Sequence, residues 1–159
     1  MTFSILAFDR EQALIGSAVA SKWTGVGGCT QFFRPGTGLV NIQNHSYAQV
    51  AYRILDNIEA GLDLAACLEQ ALSDDSAREK RQCLLADLHG NFHAASGADC
   101  SGIFRHKVSA HCAAAGNTLA DPAVIDAMID AYESADSDVM TERLPRCLRR
   151  RFQFEQSSP

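Results

Sequence analysis

The sequence has little of what stiffens or staples a chain in special ways. Four prolines and one tryptophan in 159 residues exclude a proline-rich spacer or a collagen-like rod, both of which need a far larger share of proline. Six cysteines are present, at Cys29, Cys67, Cys83, Cys100, Cys112 and Cys147, but no two form a C-x-x-C pair. That spacing argues against a zinc ribbon or a dithiol redox centre. No apolar run approaches the roughly 20 residues of a membrane span. The first residues reach Asp9-Arg10 without a basic leader region, so the expected setting is the cytoplasm, with reduced thiols and no membrane association. There is no P-loop, no G-x-G-x-x-G, no G-x-S-x-G and no H-E-x-x-H. A cofactor or a metal is therefore not expected; His45, His89, His93, His106 and His111 show no metal-ligand spacing.

What is present is ordinary globular material: 47% hydrophobic and 21% charged residues. A chain of about 150 residues buries about two-thirds of its unfolded surface, enough for one self-sufficient domain. The net charge of -5 speaks against a general nucleic-acid binder, which needs a basic face to replace phosphate counterions. One basic cluster runs against this balance: Arg143, Arg146, Arg149, Arg150 and Arg151. It reads as a solvated face or tail, with a phosphate- or nucleic-acid-binding accessory role as the rival.

Alternation of apolar residues predicts strands over Thr2 to Asp9 and Leu14 to Lys22, apolar on both faces and so covered on both sides. Short strands follow at Gln31 to Phe33 and Leu39 to Ile42, separated by the Arg34-Pro35-Gly36-Thr37-Gly38 turn. Val50, Ile54, Leu55 and Ile58 recur at helical spacing within Ser46 to Ala60, and Gly61 stands where a left-handed cap would end the helix. Asp63 is placed to cap a second helix reaching Leu72. Strands are expected again at Arg81 to Leu88, Asn91 to Ser96, Phe104 to Val108 and His111 to Ala115, with His89-Gly90 as a turn. Asp121-Pro122 then opens a helix bearing Val124, Ile125, Met128, Ile129 and Tyr132. Strands, two helices, strands and a helix suit helices layered on stacked antiparallel sheets. The expected domain is residues 1–148, with 149–159 a frayed basic and polar tail.

Chemistry points first to Thr2. A small residue at position two permits removal of Met1, which leaves one residue carrying a hydroxyl nucleophile and an α-amine of near-neutral pKa as its base. Read blandly, a threonine there serves processing and strand propensity. Ser21 and Lys22, at the end of the second strand, could reach Thr2 across a hairpin. Lys22 would steady negative charge, and Ser21 would hydrogen-bond the nucleophile. Asn117, after Gly116 at an expected strand-to-helix junction, could offer its amide to an oxyanion, with Gly116 allowing close backbone approach. Cys100 is either a reactive thiol or a small residue packed beside a loop.

The order of these pieces resembles the DUF1028 family, a group of uncharacterised bacterial and archaeal proteins placed among N-terminal-nucleophile (Ntn) hydrolase-like folds. The resemblance spans Met1 to about Leu144. It is carried by Thr2-Phe3-Ser4-Ile5 with Ala7 and Asp9, Ala18-Val19-Ala20-Ser21-Lys22, Gln43, Arg81-Gln82, Asp87 with Gly90, Ser96-Gly97 with Cys100, Gly116-Asn117 with Leu119 and Pro122, and Ala127-Met128. It implies an α+β four-layer α-β-β-α sandwich of antiparallel sheets. It also implies a hydrolase that attacks an amide-type bond of a small or peptide-like substrate through Thr2, with Gln43 and Gly116 in the substrate site. Ala115 stands where the family commonly has glutamine, and Gly25-Val26-Gly27-Gly28-Cys29 replaces a more apolar segment. Family members continue into a glycine-rich segment and a closing strand, so a shortened member is expected, its sheet edge completed by a second copy in a homodimer. The rival expectation is a catalytically silent binding or assembly module with the same sandwich.

Overall fold

A computed structural model describes residues 1–135 and 139–157, with side chains as far as residue 149. Two four-stranded antiparallel sheets form the centre. One contains β1 (Thr2–Asp9), β2 (Leu14–Ser21), β7 (Ile103–Val108) and β8 (Cys112–Leu119) in the order β2-β1-β8-β7. The other contains β3 (Gln31–Arg34), β4 (Gly38–Asn44), β5 (Arg81–Asp87) and β6 (Phe92–Ser96) in sequence order.

Strand alternation sorts the apolar side chains into three clusters and so into layers. Phe3, Ile5 and Ala7 of β1 pack outward against α4 (Ala123–Glu133) and α5 (Met140–Ser157). Val40, Ile42, Cys83 and Leu85 pack outward on the other side against α2 (Ala48–Glu59) and α3 (Leu64–Leu72). Between the sheets lie Leu6, Leu39, Leu84, Ala86, Ala113 and Ala115. The fold is therefore α+β, with helices on the outer face of each of two stacked antiparallel sheets. Both faces of β1 are covered, as its two-sided apolar pattern requires.

Local signals explain most boundaries. Gly61 adopts φ 86° just past α2, and the Asp63 carboxylate accepts from the Ala65 and Ala66 amides at the start of α3. Asp121 Oδ1 accepts from the Ala123 amide at 2.7 Å ahead of α4. Gly90 turns the β5–β6 hairpin at φ 77°.

Four expectations are corrected. A short helix, α1 (Gly27–Thr30), lies in the glycine-rich stretch before β3. The first long helix begins at Ala48 rather than Ser46. Strand β8 runs on to Leu119, so Asn117 sits within a strand and not at a junction. The expected frayed tail is instead the continuation of α5, whose backbone is helical to Ser157 although Pro145 costs it a backbone donor. Met140, Leu144 and Cys147 are buried on its inner side at helical spacing, a stripe hidden in the sequence by the arginines between them. The Arg143 guanidinium is committed to this packing: it stacks 4.1 Å from the centre of the Tyr132 ring and donates to the Tyr132 carbonyl at 2.7 Å. Among the described residues no helix is long and apolar enough to cross a membrane.

Candidate functional site

The space between the sheets is divided along the strands. Leu6, Ala113, Leu39 and Leu84 fill one part. Two or four residues along the same strands, on the same face, stand Thr2, Asn117, Gln43 and Gln82. Buried polar groups need partners, and these find one another across the gap. Thr2 is flanked in register by Ser21 on β2 and by Asn117 on β8. Its hydroxyl lies 2.9 Å from Ser21 Oγ, while Ser21 Oγ donates to the Met1 carbonyl at 3.2 Å. A serine has one hydroxyl proton. With Met1 in place, Thr2 is therefore the donor to Ser21.

Gln82, at 0% exposure, is the centre of the network. Its Nε2 donates to the Gly116 carbonyl at 3.0 Å, the Arg105 carbonyl at 3.3 Å and Ser96 Oγ at 2.9 Å. Two of these partners are carbonyl oxygens and can only accept, which fixes the direction of the amide. Its Oε1 accepts from Gln43 Nε2 at 2.7 Å and from Asn117 Nδ2 at 3.2 Å. Beyond Ser96 the chain of contacts ends at His106 Nδ1, 2.9 Å away. A second bridge joins the sheets where Asn41 and Gln31 both donate to Ser17 Oγ, at 2.9 and 2.6 Å.

A cavity of about 300 Å³ opens at this end of the molecule, lined by Thr2, Gln43 and Asn117 together with Trp23, Cys29 and Thr118 among others. That is the small end of the range for small-molecule sites. Two of its lining residues hold unusual backbone: Asn44 at φ 69° and Thr118 at φ 53°. Asparagine tolerates this region, but a β-branched threonine does not do so freely. Thr118 is held there by its amide, which donates to the Ser101 carbonyl at 2.8 Å. Thr118→Gly is expected to raise the free energy of unfolding by up to about 1 kcal/mol, strain relief outweighing the added freedom of the unfolded chain. A urea midpoint lower than that of the parent would overturn this.

The anticipated site residues separate into two groups. Thr2, Ser21, Asn117 and Gln43 are brought together. Lys22 is exposed just beyond β2 and lies outside the cavity lining, so the charge-steadying role expected for it has no geometric support. Gly116 also departs from expectation. Its open side faces the helical layer, where an added Cβ would sit 2.7 Å from Leu119 Cδ2 and 3.1 Å from Ile125 Cδ1; only its carbonyl serves the network. Glycine there permits the close packing of α4. Cys100 is buried and its thiol is pushed up by burial, as for a small residue packed beside a loop. Among the described residues no group of three or more His, Cys, Asp or Glu side chains could hold a metal.

Burial also raises the thiols of Cys83 and Cys147 to about 12 and that of Cys112 to about 11. Cys29 is the exposed cysteine. Iodoacetamide at pH 8 is accordingly expected to add once to the native protein, at Cys29, because the thiolate is the reactive form. Rapid addition at a second site, read by peptide mass, would contradict the buried positions of the other five.

Fold and site together define an α+β protein of two stacked antiparallel sheets, with a small polar cavity at the start of its first strand. The chain belongs to the DUF1028 family, a family of unknown function, which it matches over residues 2–151. A crystal structure of a DUF1028 protein from Silicibacter pomeroyi superposes with a TM-score of 0.91 at 30% identity, covering 96% of this chain and 68% of that one. No functionally curated protein matches the sequence.

Proposed function

We propose that the protein is an N-terminal-nucleophile hydrolase, acting through Thr2 on an amide-type bond of a small substrate once Met1 has been removed. The observation that carries this reading is the position of residue 2: Thr2 lines the cavity, flanked in register by Ser21 and Asn117, with its hydroxyl 2.9 Å from Ser21 Oγ. In this scheme the freed Thr2 amine takes the hydroxyl proton as Oγ1 forms a bond to the substrate carbonyl carbon. The C–N bond then breaks, the amine leaving group departs with that proton, and water hydrolyses the ester left on Thr2. Loss of Met1 removes the carbonyl to which Ser21 donates, freeing the Ser21 hydroxyl to hydrogen-bond the nucleophile. Asn117 has one amide hydrogen engaged by Gln82 and a second to offer an oxyanion.

The rival reading, a binding module without chemistry, is favoured by the same contact to the Met1 carbonyl, since an unprocessed chain is well accommodated. Intact mass separates the two. The hydrolase reading expects a mass short by one methionine; full retention of Met1 in protein made with a competent methionine aminopeptidase would sink it.

A further inference from the structure

We propose that Gln82 is a positioning residue for the cavity: buried behind its wall, it fixes which way round the Asn117 side-chain amide stands and so keeps an Asn117 N–H for the oxyanion that forms at Thr2. The reaction in this inference rests on the hydrolase reading, whereas the positioning does not. Three observations lead to it. First, Gln82 is 0% exposed and stands behind the cavity lining, while Asn117 is part of that lining. Any effect of Gln82 on a ligand there passes through another side chain.

Second, the direction of the amides is set from one end. Gln82 reaches from β5 to the opposite sheet, where its Nε2 donates to the backbone carbonyls of Gly116 on β8 and Arg105 on β7, at 3.0 and 3.3 Å. The second of these lies at a register shift in β7 between Ile103 and Arg105, an irregularity of the kind that is over-represented beside active sites. Carbonyl oxygens only accept, so the Gln82 nitrogen stays on their side and its Oε1 is left to accept from Asn117 Nδ2 at 3.2 Å. Turning the Asn117 amide over would set oxygen against oxygen. Asn117 therefore stands with one amide hydrogen engaged and one remaining, in the residue that strand register places beside Thr2.

Third, packing does not account for Gln82. Leu84, two residues along the same face of β5, fills the space between the sheets with an apolar side chain. Apolar groups of the same shape in place of a buried hydrogen-bonded pair are often neutral for stability or better. The change from leucine to glutamine comes at the level where Thr2 and Asn117 stand, and a satisfied polar network rigidifies the groups it joins.

The test is a double-mutant cycle on protein lacking Met1, with Gln82→Met, Asn117→Ala and both together. The probe is a small aliphatic epoxyketone. The Thr2 hydroxyl adds to its ketone carbon to give a hemiketal, and the Thr2 amine then opens the epoxide, whose oxygen leaves as an alkoxide and takes the proton of that amine. Asn117→Ala is expected to lower the maximal labelling rate about 10²-fold. Gln82→Met is expected to lower it about tenfold in the parent and to add nothing in the Asn117→Ala background. A Gln82→Met effect that persists in full without Asn117, or no effect in the parent, would overturn the proposal. A second readout needs no reaction: the nitrogen-15 order parameter of the Asn117 side chain is expected near about 0.85 in the parent and below about 0.6 in Gln82→Met. An Asn117 amide that is flexible in the parent, or equally ordered in the folded variant, overturns the positioning whatever Thr2 does. If Gln82→Met does not fold, Gln82→Leu takes its place, and if neither folds the parent order parameter decides. If the parent is not labelled at Thr2 at all, the hydrolase reading falls and the order parameters alone decide the positioning.

Discussion

Thr2→Ala is expected to lower the rate of covalent modification by an N-terminal-threonine electrophile by at least about 10⁴-fold, the scale on which removal of a nucleophile acts elsewhere. An epoxyketone is the informative reagent, since it closes a morpholine ring only on a residue that presents a hydroxyl and an adjacent free amine. Thr2→Ser keeps both groups and is expected to retain the adduct at a reduced rate. Ser21→Ala keeps both groups as well but loses the 2.9 Å contact that orients the hydroxyl, so a smaller loss, on the order of tenfold to a hundredfold, is expected. The reading fails if Thr2→Ala labels at the parent rate, because the adduct then forms elsewhere. Cys29, the exposed thiol in the cavity wall, is the alternative nucleophile, and peptide mass locates the adduct on one residue or the other.

The second large effect is on stability. Arg81 and Asp75 form a two-point ion pair, at 2.8 and 3.1 Å, with side chains 5% and 7% exposed. The same guanidinium donates to the His45 carbonyl and lies 5.4 Å from the centre of the Tyr47 ring, so it ties the segment between β4 and α2 to the start of β5. Removing one partner leaves the other charge buried and unpaired. Arg81→Ala and Asp75→Ala are each expected to cost about 3–5 kcal/mol, whereas the double change Arg81→Met with Asp75→Leu recovers much of that loss. Denaturant midpoints measure both, and a single variant losing under about 1 kcal/mol would refute a buried pair. The hydrogen bond from Arg81 holds the Asp75 carboxyl below its ordinary value. The stabilisation is thus complete above the unfolded carboxylate pKa, about 4, and is lost as pH falls through the lowered folded value. Asp75→Asn is expected to flatten this part of the acid-unfolding curve.

Several elements were legible because their signals are local. The Asp63 cap, the Gly61 stop and the His89-Gly90 turn each depend on a few neighbouring residues, and alternation placed β1 and β2 almost to the residue. Helix α5 was hidden because its buried stripe, Met140, Leu144 and Cys147, is thinly spread through an arginine-rich segment. The end of β8 was missed since Gly116-Asn117-Thr118 reads as a turn; what keeps it in the sheet is pairing with Phe3 and Thr2, a contact more than a hundred residues away in sequence.

At the site, Thr2, Ser21 and Asn117 were legible as candidates, whereas the network around Gln82 was not. Its trace in the sequence is polar residues at alternate positions of otherwise apolar strands: Asn41 and Gln43 in β4, and Gln82 before Cys83-Leu84-Leu85 in β5. That pattern signals buried amides in need of partners. Which amide meets which is fixed only by the stacking of the sheets. Lys22 reads in the sequence as either a charge-steadying neighbour of Thr2 or a solvated strand-end lysine; strand register brings Ser21 beside Thr2 and leaves Lys22 exposed at the strand end.

The position of Thr2, wedged between β2 and β8 as the first residue of a central strand, carries a practical warning. An affinity tag fused ahead of it, or a protease scar of even one residue left behind, would cap the very amine on which the proposed reaction depends. Under that proposal, protein prepared that way would show no turnover, and a substrate screen on it would return a false blank. The tag belongs at the other end, beyond α5.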